Sequence, residues 1–395
     1  MNLPKGVEFI INRLDERNHR ADIVGGCVRD FLLGKEPNDY DITTDATPEE
    51  MRDIFSDVRT VDTGIKHGTL TVMYDGEPYE ITTYRLEGEY SDNRHPDSVY
   101  FTRKLSEDLS RRDFTVNAMC YNHKDGFTDM FSGKEDLENR IIRAVGDPEK
   151  RFTEDALRIL RALRFAATLD FTIEPETSYA IHKTSHLLKR VSAERIYAEW
   201  RKLISGIGAY RILAEYAEVI EVIIPELTGL KLPAKPLFDE AEAEIRELSL
   251  FALTDKNNAP NSFTSAMLAL KCDNRHRNFG KLVLDGLKMK TDSVPELTRL
   301  LIAAGEDGAM GVLDLKILLE ICPPERKQTL KELLKGGVCY RISDMKISGN
   351  ELLELGIKGK SIGENLSRLL YLIADGKLEN ERKKLLEAVS RMEEN

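Results

Sequence analysis

Gly25, Gly26, Arg29, Asp39 and Asp41 fall within one short stretch, ADIVGGCVRDFLLGKEPNDYDITT, residues 21–44. Two adjacent glycines let a backbone turn tightly and approach a ligand with no Cβ in the way. Arg29 follows on a short predicted helix, Val28 to Leu33, that Gly34 ends. Asp39 and Asp41 sit two apart on a predicted strand, and alternate strand residues share a face. Two carboxylates on one face repel each other, and a hard cation removes that repulsion. Mg²⁺ takes oxygen ligands from a few carboxylates and from substrate phosphates. A lone G-G is commonly just a turn, and a lone D-x-D a solvated pair. Together, with Arg29 between them as a phosphate partner, they predict a metal-dependent site for a nucleoside triphosphate.

Three other groups carry candidate chemistry. Glu80, on the strand-like run YEITTY from Tyr79 to Tyr84, is a third carboxylate if that strand neighbours the first two, and an edge-strand surface residue if it does not. Arg111, Arg112 and Asp113 place two guanidinium groups beside a carboxylate in LSEDLSRRDFTVNAM, where Ser106 is expected to cap a helix. In Phe152 to Ala167, FTEDALRILRALRFAA, Leu157, Leu160, Leu163 and Ala167 build an apolar face, and Arg158, Arg161 and Arg164 recur every third residue. Read as one helix capped by Thr153, it makes Asp155 and Arg158 neighbours at i and i+3. On an isolated helix such a pair is a wet surface bridge worth a few tenths of a kcal/mol.

The elements that must position these groups are legible from periodicity. Residues 4–19 read as an amphipathic helix with Val7, Ile10, Ile11 and Leu14 inward. Thr47 and Pro48 start another helix. GTLTVMY, residues 68–74, is a strand, and Leu86 to Val99 is polar, turn-rich and predicted to be a mobile loop. Ile141 to Gly146 is expected to be the last strand of a first domain, with helical periodicity alone from Asp147 onward. Ser192 to Ile204 is a helix whose single tryptophan, Trp200, belongs to packing. Gly349 and Gly359, in ISGNELLELGIKGKSIG, suit either backbone donors to RNA phosphates or helix stops.

A chain of 395 residues suggests two to four domains, and 41% hydrophobic with 32% charged residues fits a soluble globular protein. No run approaches the ~18 apolar residues of a membrane helix, and the N-terminus has no signal-peptide pattern. The net charge of -11 argues against indiscriminate coating of nucleic acid, although lysines and arginines are frequent between Arg103 and Arg164. Five scattered cysteines with no C-x-x-C pair suit a reducing cytoplasm and argue against disulfides or a zinc site.

The pieces GGCVRDFLLG, DYD, RRDFTVNAM and EDALRILRALRF, in that order and spacing, resemble the class II tRNA nucleotidyltransferases: the CCA-adding enzymes of bacteria and eukaryotes and their poly(A) polymerase relatives. The likeness runs from the N-terminus to about residue 205 and returns in ISGNELLELGIKGKSIG. It implies an α+β chain of seahorse-like shape. A nucleotidyltransferase head like that of DNA polymerase beta, with a small mixed sheet, would span 1–146. An all-helical neck (147–207), body (208–320) and tRNA-binding tail (321–395) would follow.

The resemblance also implies roles. Asp39 and Asp41 match the metal-binding carboxylates and Glu80 the acidic residue of the later strand. Gly25, Gly26 and Arg29 match the contacts to nucleotide phosphates. Arg112 falls on the R-R-D motif with Asp113 beside the ribose, and Asp155, Arg158, Arg161 and Arg164 match the base-reading helix. The implied reaction adds C, C and A, without a template, to the 3′ end of tRNA from CTP and ATP, releasing pyrophosphate by a two-metal mechanism with Mg²⁺, in the cytoplasm and without a membrane. Cytosine and adenine each present an amine beside a bare ring acceptor, which suits a carboxylate next to an arginine. Uracil and guanine present the reverse and mismatch both contacts. Within the family, the loop at Leu86 to Val99 argues against a CC-only enzyme, while an A-adding enzyme remains open. The lack of a long basic C-terminal extension argues against a poly(A) polymerase. The intact Asp39, Asp41, Arg112, Asp155 and Arg158 argue against a non-catalytic RNA-binding protein.

Overall fold

The structure, a computed structural model, describes residues 3–37, 39–62, 64–87 and 99–393. The chain divides into two compact units, Met1–Ile223 and Ile224–Asn395. The first unit begins with α1 (Lys5–Glu16), β1 (Ala21–Val24), α2 (Gly26–Leu32), β2 (Asp41–Thr44), α3 (Pro48–Ile54), β3 (Thr60–Val61), β4 (Thr69–Tyr74) and β5 (Glu77–Thr83). It continues with β6 (Arg85–Glu87), β7 (Val99–Phe101), α4 (Leu105–Ser110), β8 (Met119–Asn122), β9 (Gly126–Asp129), α5 (Gly133–Glu138) and β10 (Ile141–Ile142). Then come α6 (Pro148–Glu154), α7 (Leu157–Leu169), β11 (Thr172–Ile173), α8 (Pro175–Thr184), α9 (Ala193–Ile204), α10 (Ala209–Glu215) and α11 (Ala217–Ile223).

Seven strands form one mixed sheet in the order β3-β4-β5-β2-β1-β8-β9. Only the β2–β5 pairing in it is parallel. β1 is buried along its whole length, because α1 lays Val7, Ile10, Ile11 and Leu14 against the sheet. One of its residues is a carboxylate: Asp22 is fully buried and receives Arg20 Nε at 2.8 Å and the Tyr84 hydroxyl at 2.6 Å. Thr47 starts α3 as expected, in a reciprocal capping box with Glu50.

Several expectations change. β2 begins at Asp41, so Asp39 precedes the strand rather than sharing its alternation. β8 and β9 had no reading, since four residues each give little periodicity to detect. The expected last strand, Ile141 to Gly146, shrinks to Ile141–Ile142 and pairs with β11, not with the main sheet, so strands do not stop at Asp147. α4 has Lys104, not Ser106, at its cap. The Leu86 to Val99 loop is β-paired at both ends, Leu86 opposite Tyr100 and Glu87 opposite Val99, and its remainder lies outside the described residues.

The single helix read over 152–167 is two helices, broken at Asp155 with φ -135° and ψ 104°. Thr153 does not cap it, because its hydroxyl bonds back to the Glu149 carbonyl at 2.8 Å. α7 and α9 pack together around buried Trp200. Phe114, just ahead of β8, meets Phe165 of α7 edge-on with centroids 5.8 Å apart.

The second unit is helical throughout its described residues: α12 (Lys235–Glu240), α13 (Ala243–Thr254), α14 (Ala259–Ala269), α15 (Asn274–Gly286), α16 (Val294–Leu318), α17 (Glu325–Lys335), α18 (Gly349–Glu354), α19 (Lys360–Ala374) and α20 (Arg382–Glu393). Phe238, Phe251 and Phe263 are wholly buried in its first part, and Leu352, Leu366, Leu369, Leu385 and Val389 cluster in its last. Gly349 and Gly359 open helices instead of stopping them. Among the described residues no helix is long and apolar enough to cross a membrane.

One glycine controls the turn that leads into β8. A Cβ at Gly133 would lie 2.2 Å from the Thr115 carbonyl oxygen, a backbone atom that cannot swing away. Gly133→Ala is therefore expected to destabilise the chain by about 1–3 kcal/mol, as overpacking does. Urea unfolding measures this, and an unchanged midpoint would show that the two backbones do not touch.

Candidate active site

The sheet register assembles one end of the site. Val24, the last residue of β1, pairs with Asp41, the first of β2, so the turn at Gly25 opens beside that carboxylate. Gly25 has φ +84°, a backbone suited to glycine. A Cβ there would lie 4.0 Å from Asp41 Oδ2 and 3.4 Å from Arg112 Nη1. Ile42 pairs in parallel with Ile81, which sets Asp41 and Glu80, one residue back on each strand, side by side on the same face. Asp41 is open to solvent on one side, yet the surrounding protein desolvates it and raises its carboxyl above the usual range. The charges of Asp39 and Glu80 add to that rise, and Arg112 opposes it.

Arg112 is held from behind. Its Nη2 donates to Asp108 Oδ2 at 3.2 Å, while Arg111 donates to Asp108 Oδ1 from Nε at 2.9 Å and Nη2 at 2.7 Å. Asp108 also accepts from the Arg85 amide at 3.3 Å and is completely buried. Burial pushes Asp108 up, but the Arg111 and Arg112 charges outweigh it and hold the carboxyl below its ordinary value.

Arg29 projects from α2 and is mostly buried. Its Nε donates to Asp30 Oδ1 at 2.9 Å and its Nη1 to Asn117 Oδ1 at 2.8 Å. Its guanidinium carbon lies 5.2 Å from the centre of the Phe165 ring, which Arg161 and Arg164 also face at 5.3 and 3.5 Å.

The base-reading candidates come together, in pairings the sequence did not reveal. Asp155 sits in the break before α7, where Oδ1 accepts the Leu157 amide at 3.0 Å and Oδ2 takes Arg195 Nη2 of α9 at 2.8 Å. Arg158, expected to pair with Asp155, instead donates to Glu154 Oε2 at 2.7 Å and to the Arg111 carbonyl at 3.0 Å. The break turns the Asp155 side chain away from helical i,i+3 geometry, and Glu154 lies at the favourable i,i+4 distance. Arg164 donates to Glu199 Oε2 at 2.8 Å, and burial lowers its pKa. Arg161 donates to Asp113 Oδ2 at 2.7 Å. Burial alone would raise Asp113, yet Arg161, Asn117 and Arg158 bring it down to about 2.

Sequence reasoning missed Asp108, Asn117, Glu154, Arg195 and Glu199. Asp108 and Glu154 were detectable from their i,i+3 and i,i+4 spacing to arginines. Arg195 and Glu199 lie 40 and 35 residues from their partners, and no local pattern announces them.

Among the described residues no three His, Cys, Asp or Glu side chains converge closely enough to hold a metal by themselves. The donor set at Asp39 and Asp41 is nevertheless hard and anionic, and the charges of Asp39 and Glu80 add to the desolvation that raises the Asp41 carboxyl. Such a set fits a divalent cation whose remaining ligands are water and substrate phosphate oxygens.

The chain matches the family described as the poly A polymerase head domain over residues 21–143, and the probable RNA and SrmB-binding site of polymerase A over residues 170–230. It is 39% identical to the CCA-adding enzyme of Enterococcus faecalis over 389 residues, covering 95% of this chain and 93% of that one. The CCA-adding enzyme of Lactobacillus helveticus is 36% identical, with 94% and 93% covered. Among solved structures, the Bacillus stearothermophilus CCA-adding enzyme in complex with CTP superposes with a TM-score of 0.82 at 32% identity, over 100% of both chains.

The Asp113–Arg161 pair makes stability depend on acid. A native pKa of about 2 against an ordinary 3.8 means the contribution is complete above pH ~4 and disappears as pH falls towards 2. It amounts to about 2 kcal/mol. Asp113→Asn is expected to be less stable at neutral pH and to lose that part of the acid dependence. Thermal melts between pH 5 and 2 test this, and identical pH slopes for both proteins would count against the pair.

Proposed function

The chain belongs to the CCA-adding enzymes, and from that premise we propose how its own residues add C, C and A to the 3′ end of tRNA from CTP and ATP, releasing pyrophosphate. The observation that carries the reading is the meeting of Asp41, Glu80 and Arg112 at the Gly25 turn. Asp39 and Asp41 would hold two divalent cations, which we take to be Mg²⁺, and Glu80 reinforces their negative field. When bound, the two cations would lower the pKa of the attacking 3′-hydroxyl and offset charge on the departing pyrophosphate.

The protein's share is orientation. Arg29 and the Gly25-Gly26 backbone orient the triphosphate so that the RNA 3′-hydroxyl lies in line with the α-phosphate. Arg112, fixed by Asp108, places positive charge beside the reacting phosphates. Asp113 stands on the ribose side. Asp155 accepts from the amine of cytosine or adenine, and Arg158 donates to the adjacent ring nitrogen. Arg195 keeps Asp155 turned towards the base, and a carboxylate has lone pairs enough to serve both. Arg161 and Arg164 hold the helix face charged and stacked against Phe165. UTP and GTP leave both polar groups mismatched, which costs enough to exclude them. The helices of the second unit hold the tRNA by shape and phosphate contacts. Five buried cysteines, none of them in a disulfide, are consistent with work in the cytoplasm.

A tRNA lacking its last three nucleotides, given CTP and ATP together, is expected to gain C, C and A and stop. Two Cs alone, A only on a tRNA already ending in CC, or a long A tail would each replace this reading by a narrower or different enzyme. Asp41→Ala is expected to abolish transfer while melting like the parent, and chelation of divalent cations should do the same until Mg²⁺ is restored. Retained turnover in Asp41→Ala would remove the catalytic assignment. Asp155→Ala should reduce the preference for CTP over UTP by roughly a hundredfold, measured as a ratio of kcat/KM values.

A further inference from the structure

Asn117 closes the short turn Thr115–Asn117 ahead of β8 and is 6% exposed. Its Oδ1 accepts from Arg29 Nη1 at 2.8 Å, and its Nδ2 donates to Asp113 Oδ1 at 3.2 Å. The amide orientation follows from the partners, since a guanidinium only donates and a carboxylate only accepts. Asp113 passes the link on, with its other oxygen bound to Arg161. One side-chain amide thus joins an arginine of α2 to an arginine of α7, both of them close to the Phe165 ring.

The turn that carries Asn117 is itself fixed. The Thr115 hydroxyl donates to Asp136 at 2.7 Å, the Asn117 amide to the Phe114 carbonyl at 2.9 Å, and Gly133 packs on the Thr115 carbonyl. The Asn117 carbonyl lies 3.9 Å from where a Gly25 Cβ would stand, so the same turn also backs the glycine bend. Long arginine side chains have much rotamer freedom, and a rigid acceptor removes it for Arg29. No other residue type matches both partners from one planar head at this length. Aspartate accepts but cannot donate, and alanine does neither.

We propose that Asn117 is a positioning residue for nucleotide selection, locking the triphosphate arginine Arg29 and the base-side pair Asp113–Arg161 into one geometry. In this role Asn117 acts through Arg29 and Asp113, its hydrogen-bond partners. The inference rests on the reading above, in which Arg29 faces phosphates and Arg161 belongs to the base-reading helix. A base that seats wrongly displaces Arg161, and through Asp113 and Asn117 that displacement reaches Arg29 and the triphosphate. Selection and chemistry are then joined through a rigid hydrogen-bonded path.

The test compares Asn117→Ala and Asn117→Asp in the full-length enzyme on tRNA ending before CCA, with steady-state kinetics for CTP and for UTP. Asn117→Asp keeps the acceptor for Arg29 and sets a carboxylate against Asp113. It is expected to hold KM for CTP within about threefold of the parent while the CTP/UTP ratio of kcat/KM falls about tenfold. Asn117→Ala is expected to lose the same discrimination and also to raise KM for CTP about tenfold. A packing residue alone would lower the melting temperature and slow CTP and UTP equally. An unchanged ratio in both variants overturns the proposal, whatever the melting temperatures do. If Asn117→Ala does not fold, Asn117→Asp decides alone. Arg29→Ala and Arg161→Ala separate the two layers: KM unaffected in the first and discrimination unaffected in the second would overturn the underlying site reading. The expected effects there with an unchanged ratio in the Asn117 variants would overturn only the link.

Discussion

Negative charge gathered at one end of a sheet sets the terms for the rest of the first unit. Desolvation by the surrounding protein, with the charges of Asp39 and Glu80 added to it, makes Asp41 hold its proton more tightly than a free carboxyl, and Arg112 is the cation that opposes this. The position of Arg112 therefore matters as much as its presence. It is fixed by Asp108, a fully buried carboxylate that two arginines and the first backbone amide of β6 together satisfy. A buried anion with three donors is stable, and the same anion with one donor removed is costly. That end of the sheet and the start of β6 consequently share one charge balance.

A second charge balance runs along α7. Its three arginines face carboxylates from three different places: Glu154 one turn earlier, Asp113 from the turn before β8, and Glu199 from α9. Asp155, freed from its expected partner, is held by Arg195. The proposed role of α7 in reading the nucleotide base calls for polar groups that hold their places without a ligand. Satisfying each guanidinium within the protein provides that, and Phe165 gives three of them, Arg29, Arg161 and Arg164, a common flat surface.

Much of this was legible in the sequence. The glycine pair, the carboxylates, the R-R-D run and the threefold arginine spacing were all found by residue type, and the strand of Thr69–Tyr74 by alternation. Less legible was which charge answers which. Asp155 and Arg158 satisfy a spacing rule that presumes an unbroken helix, and the extended backbone at Asp155 cancels it. Asn117 carried no signal, because an asparagine in a turn is ordinary until its neighbours in space are known. Short strands such as β8 and β9 escaped because their length leaves too few alternations to count, although β8 carries the residue that bonds the glycine turn, the Met119 carbonyl accepting the Gly25 amide at 3.2 Å.

The parallel pairing of β2 with β5 has a consequence for how this family can change over evolutionary time. Asp41 and Glu80 share a face only because two strands run in step, Ile42 beside Ile81, Thr43 beside Thr82. Insertion or deletion of a single residue inside either strand would turn one carboxylate to the opposite side of the sheet. Point substitutions can drift through the outer positions of these strands, but length cannot. Lineages that lengthen or shorten the head are thus expected to do so in the connections between strands, with the stretches 41–44 and 77–83 conserved in length even where their residues differ.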